Sequence, residues 1–235
     1  PGHSSAASDV YKRQVLDNLL TPMLAIFITG FLTFTLVGPI TRDIGFLLGD
    51  GLNWLYDSAG FIGGALFGFI YAPFVITGMH HSFIAIETQL LADIAVTGGT
   101  FIFPIAAMSN IAQGAAALAV GFTTKDNKLK GIAMPSGVTA LLGITEPAMF
   151  GVNLKLRYPF IAAIIGAASA SAFITLFNVK AQALGAAGLP GVISIVPDKL
   201  GYYITGMAIS FVIAFALTLV LGARSGQESG NAATT

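Results

Sequence analysis

Between Leu19 and Ile40 the chain carries no charged side chain, and four further stretches repeat the pattern: Ala59 to Thr77, Phe101 to Phe122, Tyr158 to Phe177 and Tyr202 to Leu221. Each approaches the length of about 20 residues that a helix needs to cross the hydrocarbon of a bilayer. Only 9% of the residues are charged, against about 25% in soluble domains, so the chain cannot cover a normal wet surface. Its 28 glycines suit a bundle in which small residues let helices approach closely. The expected fold class is therefore an all-α polytopic membrane protein, with about five spans plus re-entrant hairpin elements.

The same composition removes several functions. Net charge is zero, and the basic residues are too sparse for a nucleic-acid footprint. Cysteine is absent, which removes disulfides, thiolate metal sites and cysteine nucleophiles from this chain. Three histidines, one of them His3, make a multi-histidine metal centre a poor reading, and no metal or cofactor is expected. No Walker motif is present, so ATP is not the energy source on this chain.

The ends differ from the middle. Residues 1–14, "PGHSSAASDVYKRQ", are too polar for a signal peptide and are expected to be a non-native or disordered tail. Residues 224–235 are small and polar and read as a second disordered tail. Residues 15–58 hold the first span and the segment "RDIGFLLGDGLNWLYD". That segment reads either as an interfacial helix, with Trp54 and Tyr56 at headgroup depth, or as an ordinary loop helix. Residues 59–223 form the main unit.

Two intervals between spans stand out. Residues 131–153, "GIAMPSGVTALLGITEPAMFGVN", are apolar enough to cross, yet they contain Pro135, Gly137, Gly143, Pro147 and Gly151. That density argues against a continuous helix. Lys125, Lys128 and Lys130 precede the interval, and Lys155 and Arg157 follow it. The positive-inside rule puts both basic flanks in the cytoplasm, so the segment is expected to enter and leave on one side as a re-entrant hairpin. Residues 78–100 carry Glu87 and Asp93 without Lys or Arg and suit the outside, whereas Lys180 and Lys199 run against the rule.

Glu146 is the only charge between Lys130 and Lys155. An ionisable group in an apolar region marks a ligand or ion pathway by default. Pro147 removes a backbone donor beside it, and Gly143 lets the chain turn, so free backbone groups should surround the carboxylate. Such a site suits the hydroxyls of a neutral polyol, although a carboxylate that caps a half-helix or pairs with His80 fits the pattern as well. In "VITGMHHSFIAIETQ", His80 can both donate and accept a hydrogen bond. His81 fits an interfacial role equally, and Glu87 belongs either to a site or to an exposed loop. Asn110 and Gln113 share a helix face, where inter-helix bonding explains them as readily as ligand contact.

Taken together, "GITEPAMFGVNLK", "GMHHSF", "TFIFPIAAMSNIAQGAAALAV" and "YPFIAAIIGA" resemble the membrane component, enzyme IIC, of the bacterial phosphoenolpyruvate-dependent sugar phosphotransferase system. Within the glucose/sucrose/β-glucoside superfamily the resemblance is nearest to sucrose-specific members, with trehalose-specific ones next. It implies a multi-pass homodimer in the bacterial inner membrane that imports a disaccharide. The sugar would be phosphorylated by a partner, the enzyme IIB domain, served upstream by enzyme IIA and a phosphocarrier protein. The phosphorylated cysteine of enzyme IIB is not on this chain. The resemblance carries sugar contact onto Glu146 and His80, and a shaping role onto Thr145 and Pro147. It also implies that the chain holds mainly the transport half of an N-terminally truncated enzyme IIC, with residues 15–58 ending the interface half. Two other readings make different predictions: an ion-coupled symporter with Glu146 as proton carrier would run on a pH gradient, and a membrane enzyme using Glu146 and His80 would turn over in detergent.

Overall fold

In the computed structural model the described residues are 3–40, 43, 47, 51, 54, 56 and 58–232, with side chains described between Asn18 and Arg224. The chain divides into two compact units, residues 1–48 and 49–235.

The first unit is one helix, α1 (His3–Leu32), which passes through Pro22 and continues into a π-helical turn at Thr33–Val37. Its apolar stretch spans Asn18–Ile40, and no residue of that stretch is buried. The backbone is helical from His3, inside the stretch expected to be a tail. Helix growth past an apolar segment adds one bond per residue fixed, which favours such extension. The expected interfacial helix over 42–57 lies largely outside the described residues.

The second unit is built around α5 (Ile102–Thr123), in which every residue from Ile102 to Gly121 is buried. This alanine-rich helix is narrow enough to be surrounded by α2 (Phe61–Ile76), α6 (Asn127–Leu141), α9 (Tyr158–Leu176) and α10 (Leu200–Ala232). Thr100 accepts from the Ile102 amide at 3.2 Å at its start, and Asp126 caps the next helix by accepting from Lys128 N at 2.8 Å. Such a cap contributes about 1 kcal/mol. The α10 helix runs on to Ala232, past Arg224, into the second stretch expected to be a tail.

Close contacts fix how the helices run. Gly64 and Gly68 of α2 lie against Thr175 and Ser171 of α9, so the starting end of α2 meets the finishing end of α9. Thr100 and Ala181 exchange backbone bonds of 2.9 and 2.8 Å, and Ala181 also bridges to Ile195. The start of α5, the end of α9 and the start of α10 therefore share one end of the bundle. At the opposite end Gly222 of α10 packs on Tyr158. Among the described residues four helices are long and apolar enough to cross a membrane, or five if the pair described next counts as one span.

Two elements are bent or broken within the bundle. The first is α2 with α3 (Phe83–Ala92): a 3-10 turn at Met79–Ser82 joins them at a bend of 113°. Gly78, with φ 76°, sits at that corner, where a side chain would be strained. A four-residue helix, α4 (Ile94–Thr97), follows. The second element is the interval 131–153. Its glycines and prolines argue against one continuous helix, and the interval does break, although α6 passes unbroken through Pro135 and Gly137. Pro135 removes a backbone bond and costs about 3 kcal/mol in an isolated helix. Burial of Ala133, Ser136, Gly137 and Ala140 offsets that loss. The break comes only at Leu142–Thr145, after which α7 (Glu146–Ala148), a π-turn (Met149–Asn153) and α8 (Leu154–Leu156) return. At 1.5 Å per residue the 15-residue α6 is about 22 Å long, short of a full crossing.

Candidate functional site

The hairpin turn and the bend after α2 meet. Gly143 has φ 104°, and a Cβ there would run into the Ala187 carbonyl, so the turn is pressed against the loop before α10. Asn110 of α5 reaches the same turn, its Nδ2 donating to Gly143 O at 3.5 Å. Behind the loop, Tyr203 Oη donates to Gly188 O at 3.1 Å.

Between these parts lies a cavity of about 240 Å³. The hairpin contributes Gly143, Thr145 and Glu146, and the 3-10 turn contributes His80 and His81. The walls are Tyr71 and Val75 of α2, Ile84 and Glu87 of α3, and Phe103, Ala106 and Asn110 of α5, closed by Gly185–Ala187. Of the residues nominated from sequence, Glu146, His80, Thr145, His81, Gly143, Glu87 and Asn110 all reach this one space. Pro147 is exposed and not among the lining residues, so its effect there is on the backbone that carries Glu146. Gln113 also faces elsewhere: it is 1% exposed and receives Asn153 Nδ2 at its backbone oxygen (3.0 Å) and its Oε1 (2.7 Å).

The polar groups fall into two sets. Glu146, exposed at the mouth, acts electrostatically on His80, whose ring lies 4.0 Å from that of His81. Glu87 is 7% exposed in the wall, beside Thr100. The loop alternative for Glu87 is thereby removed, because α3 folds back into the bundle. Tyr71 feels both Glu87 and Glu146. Two buried atoms of lining residues, His80 Nδ1 and Glu87 Oε1, have no hydrogen-bond partner in the protein. An unsatisfied buried polar group costs about 1–3 kcal/mol, so both are poised for a ligand or water.

Sequence reasoning missed Tyr71, Phe103 and the Gly185–Ala187 loop. Tyr71 carried a usable signal, a phenol in the middle of an apolar span that must find a polar partner. The loop carried none, being small residues alone. Among the described residues no group of His, Cys, Asp and Glu is arranged to hold a metal.

Apolar spans packed around a cavity of carboxylates, imidazoles, amide and hydroxyls, with its key residues at helix breaks, define a multi-pass helical membrane protein with an internal polar site. The chain belongs to the family described as "Phosphotransferase system, EIIC", which matches residues 10–167. It is 83% identical over 208 residues to the sucrose-specific EIIBC component of Vibrio alginolyticus, covering 88% of this chain and 43% of that protein. The sucrose-specific EIIBC component of Pasteurella multocida is 68% identical over 210 residues, covering 89% and 44%. The trehalose-specific EIIBC component of Bacillus subtilis is 46% identical over 200 residues, covering 85% and 42%. The chain thus spans less than half the length of these curated relatives. No solved structure matches it.

Proposed function

We propose that this chain is the sugar-translocating part of a phosphoenolpyruvate-dependent phosphotransferase permease of the bacterial inner membrane. Residues 59–223 form its sugar-binding domain and residues 15–58 the end of an interface half. The ligand is a disaccharide, with sucrose ahead of trehalose because the sucrose-specific relatives are the more similar. In the working protein the sugar is handed to a phosphorylated enzyme IIB domain, and two copies associate as a homodimer.

The observation that carries this reading is the convergence of Glu146, Thr145, His80, His81 and Asn110 on one cavity from separate elements. A carboxylate and imidazoles accept and donate to sugar hydroxyls. The lining has no Lys or Arg, so a neutral polyol fits where an anion would meet unscreened like charge. Glu146 holds hydroxyls at the mouth and His80 orients the ring, while the enclosed wall excludes water. Phosphoryl transfer itself belongs to the partner, so no residue of this chain is assigned to it.

The test is sucrose, trehalose and glucose titration of the detergent-purified chain, with Glu146→Gln alongside. Loss of a charged hydrogen bond costs about 1.5–3 kcal/mol, so Glu146→Gln is expected to weaken sucrose about tenfold to a hundredfold while the protein stays monodisperse. Unaltered sucrose binding in that variant would remove Glu146 from the site. Uptake driven by a pH gradient without enzyme IIB would favour symport instead.

A further inference from the structure

The cavity holds more acid than the hairpin motif supplies. Glu87 lies on α3, beyond the 113° bend, and reaches the lining from the side of the bundle that carries Thr100. It is more than nine-tenths buried, yet Oε1 has no partner. Leaving a buried oxygen bare costs about 1–3 kcal/mol, so a ligand that pairs with it recovers that cost. Glu87 lies beside Thr100, and the residue that carries this free oxygen lines the cavity. Tyr71, buried at 8% exposure, lines the same cavity and lies within electrostatic range of both Glu87 and Glu146.

Depth separates the two carboxylates. Glu146 is exposed at the mouth with the paired histidines, whereas Glu87 is sunk in the wall with Tyr71 and Thr100. A ligand that met only the mouth would leave Glu87 Oε1 bare. A ligand with hydroxyls at both of its ends would satisfy both places at once.

We propose that Glu87 is a second sugar-holding carboxylate, which with Tyr71 takes the hydroxyls of one ring of a disaccharide while Glu146 and His80 take those of the other. Glu87 is then a specificity-determining residue for a two-ring ligand. This rests on the reading of the cavity as a sugar site. A buried site built to hydrogen-bond a hydroxyl strongly rejects an analogue lacking it, because its own polar group is left unpaired.

The experiment is a ligand–protein double-mutant cycle on the detergent-purified full chain, using sucrose and a panel of monodeoxysucroses. In the unmodified protein, at least one deoxy position on each ring is expected to weaken binding about tenfold or more. Glu87→Gln should abolish the penalty for deoxy positions on one ring only, and Glu146→Gln for positions on the other ring only. Tyr71→Phe should act on the same ring as Glu87→Gln, which keeps the test valid if Glu87→Gln proves unstable. The assignment is overturned if neither Glu87→Gln nor Tyr71→Phe changes any penalty, or if their positions coincide with those of Glu146→Gln. If the unmodified chain binds no sucrose, the sugar-site reading itself falls and takes this assignment with it.

Discussion

Asn153 shows how a polar residue is used here away from the cavity. The π-turn at Met149–Asn153 inserts an extra residue into the returning arm of the hairpin and aims Asn153 at α5, where it donates twice to Gln113. Both residues are buried, and Gln113 Nε2 and Asn153 Oδ1 have no further partner in the protein. Asn153→Leu is expected to lower unfolding stability by about 1–3 kcal/mol while leaving sucrose affinity within about twofold. Thermal unfolding in detergent and ligand titration of the same sample check both parts, and a parallel loss of affinity would return Gln113 to the site. The sequence could nominate Asn110 and Gln113 together because they share a helix face. It could not separate them, since only the arrival of Gly143 beside one and Asn153 beside the other distinguishes their roles.

The α2–α9 seam works by the absence of side chains. Cβ atoms at Gly64 and Gly68 would overlap Thr175 and Ser171, so the two helices approach as closely as glycine permits. Between membrane helices there is little hydrophobic gain to drive association, and such small-residue packing carries the contact. Gly68→Ala is expected to destabilise by about 1–3 kcal/mol through overpacking, and adding Ser171→Gly should restore part of the loss. The melting temperatures of the single and double variants decide it: additive losses would mean that the two positions do not share a contact. The α5, α9 and α10 spans were readable because long uncharged runs have few other solutions. The hairpin was readable only as a break. Pro135, Gly137, Gly143, Pro147 and Gly151 look alike in sequence, whereas tertiary burial holds helix across Pro135 and Gly137 and leaves Gly143 alone at the turn. The bend after α2 left a weaker trace, because Gly78 and the two histidines also read as an ordinary helix end.

At the scale of the whole molecule, the bent α2–α3 pair and the hairpin meet at the cavity. The hairpin arms start and finish beside Lys125, Lys128, Lys130, Lys155 and Arg157, at the end of α5 that carries Thr123. The other end carries the Thr100–Ala181–Ile195 bridges. Lys180, which runs against the positive-inside rule if that end faces outward, donates through Nζ to Thr97 O at 2.7 Å and lies 6.0 Å from the centre of the Tyr56 ring. Its charge is thus engaged in closing the bundle, and a lysine with a structural partner is weak evidence about orientation. The lysines and arginine around the hairpin then carry the topology argument, and the positive-inside rule predicts both arms in the cytoplasm. Because the chain has no cysteine, single substitutions report sidedness without a background signal. In intact cells a membrane-impermeant thiol reagent is expected to label Gln182→Cys but neither Lys128→Cys nor Lys155→Cys, and permeabilisation should expose the latter two together. Labelling of Lys128→Cys and Lys155→Cys from opposite sides would make residues 131–153 a full crossing. It would also remove the geometry that brings Glu146 back to face His80.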